Sequence, residues 1–191
     1  LVNDRLTHDA NRDGAVVVLA GIGGPDAVRQ LLGSLPTSFP RPVLIQQRLD
    51  GARHDKLVRQ MQRATSMPVQ LAKAGAALQR GHVYVLPAGL GVVMQDDGLH
   101  FGADDGDPGS SPGQALFASL PASDSAVILL SGSDPIAVDA AMGLSWGGAL
   151  VAGQSPDGCY DAEAPEALIA RGAEAGAPAE LARKLATRWP G

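Results

Sequence analysis

Short, unbroken apolar runs, none longer than a strand, recur along this 191-residue chain at helix-length intervals. The first, Ala15-Val-Val-Val-Leu-Ala20, is continuous and rich in β-branched residues, without polar alternation. That pattern predicts a strand buried on both faces. Gly21-Ile-Gly-Gly24 then turns the chain, Pro25 suits a first helical position, and Ala27, Val28, Leu31 and Leu32 recur at helical spacing. Further strand-like runs fall at 42–46, 69–71, 82–86, 126–130 and 149–152. Helices are expected around Leu57, Val58 and Met61, over 112–120, from Pro135 onward, and over 163–172 and 178–188. Strands alternating with helices define a doubly wound, mostly parallel α/β sheet in three layers, of the Rossmann or flavodoxin type, with the 15–20 strand near its centre. One hairpin interrupts the pattern, 92–95 returning as 99–101 across Asp96-Asp97-Gly98.

Composition removes several function classes. A net charge of −5 leaves no basic surplus to displace phosphate counterions, so a nucleic-acid partner is not expected. No apolar run approaches the roughly 18–20 residues of a membrane span, so no membrane insertion is expected. The single cysteine, Cys159, excludes an intramolecular disulfide framework and fits a reducing, cytoplasmic compartment. His8, His54, His82 and His100 share no metal-ligand spacing, and neither a metal nor a cofactor is implied. Residues 1–14 are polar and read as a linker into a domain over 15–191; the start at Leu1 rather than Met carries the expectation of a further domain upstream. Residues 102–112 lack periodicity and read as a loop, with Asp104 to Asp107 a solvated acidic stretch. Trp146 and Trp189 are expected to pack against the core or its edge.

Ligand sites in doubly wound sheets lie outside the carboxyl ends of the strands, which directs attention to 21–24, 46–50 and 131–139. Read in order, the motifs there resemble the catalytic domain of the chemotaxis protein-glutamate methylesterase (CheB) family. The family's G-A-S-T-G-G-x-x-A-L appears as Leu19-Ala-Gly-Ile-Gly-Gly-Pro-Asp-Ala-Val28, and its Q-H-M as Gln46-Gln47-Arg48. Its V-Y-V-A-P-G appears as Val83-Tyr-Val-Leu-Pro-Ala88. Its L-T-G-M-G-x-D-G appears as Leu130-Ser-Gly-Ser-Asp-Pro-Ile-Ala137, followed by Gly147-Gly148, Gly153-Gln-Ser155 and Ala164-Pro165. The resemblance implies a bacterial signalling domain acting on a chemoreceptor helix or tail, often joined to a phosphorylatable receiver domain of a two-component system.

Carried across position by position, the nucleophilic Ser is Gly21, the His is Gln47 and the orienting Asp is Ile136. A Ser-His-Asp system needs a hydroxyl, a base and a carboxylate, and these three residues supply none of them. The resemblance therefore implies a pseudoenzyme whose remaining binding cleft comprises Gly23, Gly24, Gln46, Gln47, Ser131, Gly132, Ser133 and Asp134. Glycine at 21 is expected to widen the floor of that cleft. Other readings compete. Ser131, Ser133 or Asp134 could substitute as catalytic groups in an active methylesterase or deamidase. Against that, Asp134 suits capping the helix from Pro135. Gly21-x-Gly-Gly24 could open a nucleotide-binding module, although Asp26 stands where its third glycine belongs. Cys159 could be a nucleophile, or a small buried thiol.

Overall fold

The computed structural model describes residues 13–47, 54–87, 89–103 and 114–190. Seven strands form one parallel sheet in the order β3-β4-β2-β1-β7-β8-β9. They are β1 (Val16–Ala20), β2 (Val43–Gln47), β3 (Val69–Leu71), β4 (Val83–Val85), β7 (Ala126–Leu129), β8 (Leu150–Gln154) and β9 (Glu174–Gly176). β5 (Leu90–Gln95) and β6 (Gly98–Ala103) pair antiparallel as the expected hairpin. β1 is the central strand; on one side β7, β8 and β9 follow outward in turn, and on the other the chain passes from β2 to the edge strand β3 before β4 fills the place between them. Helices α1 (Gly24–Ser34), α2 (His54–Gln62), α3 (Gln114–Ala118), α4 (Ala137–Trp146), α5 (Glu163–Ala170) and α6 (Pro178–Arg188), with short 3-10 turns at Ala122–Asp124 and Pro156–Gly158, complete the described elements.

Two cores follow from the alternation of side chains along each strand. Val16, Val18, Ala20, Val43, Ile45 and Ile128 pack under α1, α2 and α6, where Leu31, Leu32, Met61, Leu181 and Leu185 are fully buried. Val17, Leu19, Leu44, Val127 and Leu129 face the other way, toward α3, α4, α5 and the hairpin. This is why the 15–20 run shows no polar alternation: both faces are covered.

Some boundaries differ from the sequence reading. The hairpin arm continues to Ala103, two residues into the segment read as loop, because Gly102 and Ala103 still pair with Gly91 and Leu90. Residues 104–113, the rest of that loop and the start of the expected helix, lie outside the described residues. So do residues 1–12 of the expected linker. Gly14 is already buried, its amide donating to an Asp124 carboxylate oxygen at 2.7 Å. β9 was not foreseen: Glu-Ala-Gly carries no strand signal, and only its pairing with β8 makes it one. Trp146 does not pack as expected; it is 77% exposed, because α4 buries Ala137, Val138, Ala141, Met142 and Leu144 and carries Trp146 at its outward edge. Trp189 is buried, edge-on to Phe39.

At the amino ends of the strands, Asp124 gathers several elements. Arg41 meets it with two hydrogen bonds, of 2.8 and 2.9 Å, and the Trp189 indole donates to it at 3.1 Å. Burial alone would raise this carboxyl, but the Arg41, Gly14 and Trp189 donors outweigh it and hold it below the ordinary carboxylate range.

Candidate functional site

The topological switch lies between β1 and β7, so the expected site falls where their carboxyl ends meet. Register sets the neighbours: Leu19 pairs with Leu129, and Ala20 pairs with Gln47 on the other side. Gly21 and Gln47 are therefore brought together, and the Gln47 side-chain amide donates to the Gly21 carbonyl at 2.8 Å. Gln47 is buried, whereas Ile136, at the entrance to α4, is half-exposed. Gln46 is partly exposed at the end of β2, and Arg48 and Asp50 lie outside the described residues.

The floor is not the widened cavity expected from the loss of a side chain at 21. A Cβ on Gly21 would stand 2.7 Å from the Gly132 carbonyl carbon and closer still to its oxygen. The Gly21 amide donates to the Ser131 carbonyl at 2.9 Å, drawing the two loops together. Gly132 has φ +78° and the N-cap Gly23 has φ +76°, both in the region that favours glycine. A Cβ on Gly23 would also meet the Tyr160 Cβ at 2.6 Å, and one on Gly24 the Ala20 Cβ at 2.6 Å. Intramolecular packing thus accounts for each glycine of the turn without a bound phosphate.

The serines are equally engaged. Ser131 is buried; its hydroxyl donates to the Ile22 carbonyl at 2.8 Å and accepts from the Tyr160 and Asp161 amides at 3.0 and 3.1 Å. Its own amide donates to the Gln154 side-chain oxygen at 2.9 Å. Ser133, also buried, donates to the Leu130 carbonyl at 2.7 Å. The Asp134 carboxylate accepts the Ile136 amide at 3.0 Å, closing the turn that leads into α4. Gln154 and Tyr160 were not singled out from sequence. The signal for Gln154 was there, since it sits in the Gly153-Gln-Ser155 motif at the end of β8.

Cys159 is half-buried, its thiol 3.5 Å from the Ser155 carbonyl. Burial, and then the carboxylates of Asp161 and Asp157, push it above the ordinary thiol range, so it is a poor nucleophile. Among the described residues, no group of three or more His, Cys, Asp or Glu could hold a metal ion. No helix there is long and apolar enough to cross a membrane.

The fold defines a three-layer α/β domain of the doubly wound class, with the candidate site at the switch point beside a central first strand. More specifically, the chain belongs to the CheB methylesterase family, whose model matches residues 16–185. The fold is similar to that of the Thermotoga maritima CheB methylesterase catalytic domain, with a TM-score of 0.83 at 21% identity over 91% of this chain and 97% of that one. A protein-glutamate methylesterase/protein-glutamine glutaminase of Anaeromyxobacter dehalogenans is 31% identical over 170 residues, covering 86% of this chain and 50% of that protein. One from Myxococcus xanthus is 40% identical over 76 residues, covering 40% of this chain and 22% of its own length. The chain thus spans half or less of each of these two relatives.

Proposed function

We propose that this domain has lost the hydrolysis its family is named for and acts by binding, in a cytoplasmic chemosensory pathway of a bacterium. The observation that carries this reading is the closure of position 21: the Gly132 backbone occupies the space a nucleophilic side chain would need. Around it, Gln47 offers an amide already given to the Gly21 carbonyl, and Ile136 offers no carboxylate. The Ser131 and Ser133 hydroxyls are committed to backbone carbonyls, which argues against them as substitute nucleophiles.

The partner in this reading is a glutamate- or glutamine-bearing segment of a chemoreceptor. It would be held at the rim formed by Gly23, Gly24, Gln46, Gln47 and the Ser131-Gly-Ser-Asp134 turn, with a receiver domain, its own or separate, as the regulator. The test combines a pull-down of the methylated cytoplasmic fragment of a chemoreceptor with an assay for released methanol. Binding without methanol above the no-enzyme rate is expected, since loss of a triad costs about 10⁶-fold in turnover. Methanol release above that rate would overturn the reading.

A further inference from the structure

We infer that the loops closing the switch-point site form a docking surface, anchored on Tyr160, for a partner segment that presents apolar residues flanked by Lys or Arg. This rests on the reading of the rim as a binding site, and it names the chemistry of what is bound. Among the described residues seven large apolar or aromatic side chains are exposed. Three of them, Ile22 at 59%, Ile136 at 51% and Tyr160 at 80%, stand on loops that meet here. Single exposed apolar residues are ordinary; a group at one point marks an interaction surface. Ser131 is that point. Its hydroxyl donates to the Ile22 carbonyl at 2.8 Å and accepts the Tyr160 amide at 3.0 Å. Ile136 ends the same loop, its amide fixed by the Asp134 carboxylate. The three side chains therefore project from backbone that hydrogen bonds already hold, and less ordering is left to oppose binding. With the Gly132 backbone filling the space at position 21, the surface there offers protruding side chains rather than a slot.

Charge selects the occupant. The chain leaving the carboxyl ends of β7 and β8 carries Asp134, Asp157, Asp161 and Glu163 before the next helix turn, and no cation. Among the described residues, none of these four carboxylates is ion-paired. The charges that follow on the helices cancel in pairs, Arg29 with Asp26 on α1 and Arg171 with Asp139 beside α4. On the other flank, the sequence after β2 holds three cations, Arg48, Arg53 and Lys56, against Asp50, while Asp55 pairs with Arg59. The balance over the whole site is negative, and the surplus lies on the β7 and β8 side, where Ile136 and Tyr160 stand. A second copy of this face is repelled; a segment with Lys or Arg beside its apolar residues is attracted.

The probe is a labelled synthetic helical peptide of Leu and Lys, about 14 residues or four turns long, with a counterpart in which Glu replaces Lys. Fluorescence anisotropy reads its binding to the domain. The Lys peptide is expected to bind, more weakly as salt rises, and the Glu peptide not to bind. Tyr160→Ala is expected to weaken binding about thirtyfold, the scale of losing one anchor. The position is exposed and its hydrogen bond to Ser131 comes from the backbone amide, so the fold is retained. Asp134→Asn with Asp161→Asn keeps the side-chain oxygens that accept the Ile136 and Glu163 amides while removing two charges. That double variant is expected to bind about tenfold more weakly at low salt, with a flatter salt dependence. Trp146→Ser, at the far end of α4, is expected to bind as the parent does. Equal binding of both peptides, parent affinity in Tyr160→Ala, or an equal loss in Trp146→Ser would overturn the proposal. Methanol release from the receptor fragment, with peptide binding still lost in Tyr160→Ala, would remove the non-hydrolytic reading and leave this surface in place.

Discussion

Gly21 and Gly132 meet backbone to backbone where β1 and β7 end, each lying in the space the other's Cβ would fill. The register places them there: with Leu19 opposite Leu129, the first turn residues beyond the two strands converge. A side chain at position 21 would need those loops to separate.

Gly21→Ala is therefore expected to destabilise the fold, by about 2–3 kcal/mol as an overpacked core change does. Gly132→Ala is expected to cost more, because its φ of +78° adds backbone strain to the clash. Urea denaturation of both variants measures this. A Gly21→Ala midpoint equal to the parent's would show that the loops part easily and that position 21 is not closed.

Asp124 makes stability depend on acid. Its carboxyl is lowered in the folded state below the ordinary aspartate value of about 3.9 that it keeps in the unfolded chain, the Arg41, Gly14 and Trp189 donors outweighing burial. The stabilisation it gives is therefore complete above that unfolded value and is lost as pH falls through the folded one. Asp124→Asn is expected to lower stability at neutral pH by about 1 kcal/mol, allowing for solvent screening at a half-buried pair. The gap between parent and variant is then expected to narrow as pH falls below about 4. A gap of constant size across that range would count against Asp124 as the acid-sensitive tie.

Cys159 is expected to react sluggishly. With its thiol raised by burial and by two neighbouring carboxylates, alkylation by iodoacetamide at neutral pH proceeds more slowly than for a free cysteine peptide. Asp161→Asn removes one of those charges and is expected to speed the reaction. Labelling as fast as the peptide's would contradict the assignment.

Much of this architecture was legible in the chain itself. The unbroken apolar run at 15–20 required a strand covered on both faces, and its neighbours' spacing required helices between parallel strands. The motif order carried the family, and the residues at 21, 47 and 136 could be read as lacking a hydroxyl, a base and a carboxylate before any fold was known. Local patterns suffice there because periodicity and side-chain chemistry are properties of the residues. What happens to the space left at Gly21 is not such a property. It depends on how close Gly132, 111 residues away in sequence, approaches once β1 and β7 pair. The same holds for β9, which is a strand only because β8 offers it a free edge, and for Trp146, whose exposure depends on which side of α4 the sheet covers. These were decided by long-range packing, where backbone meets backbone and no local sequence signal exists to be read.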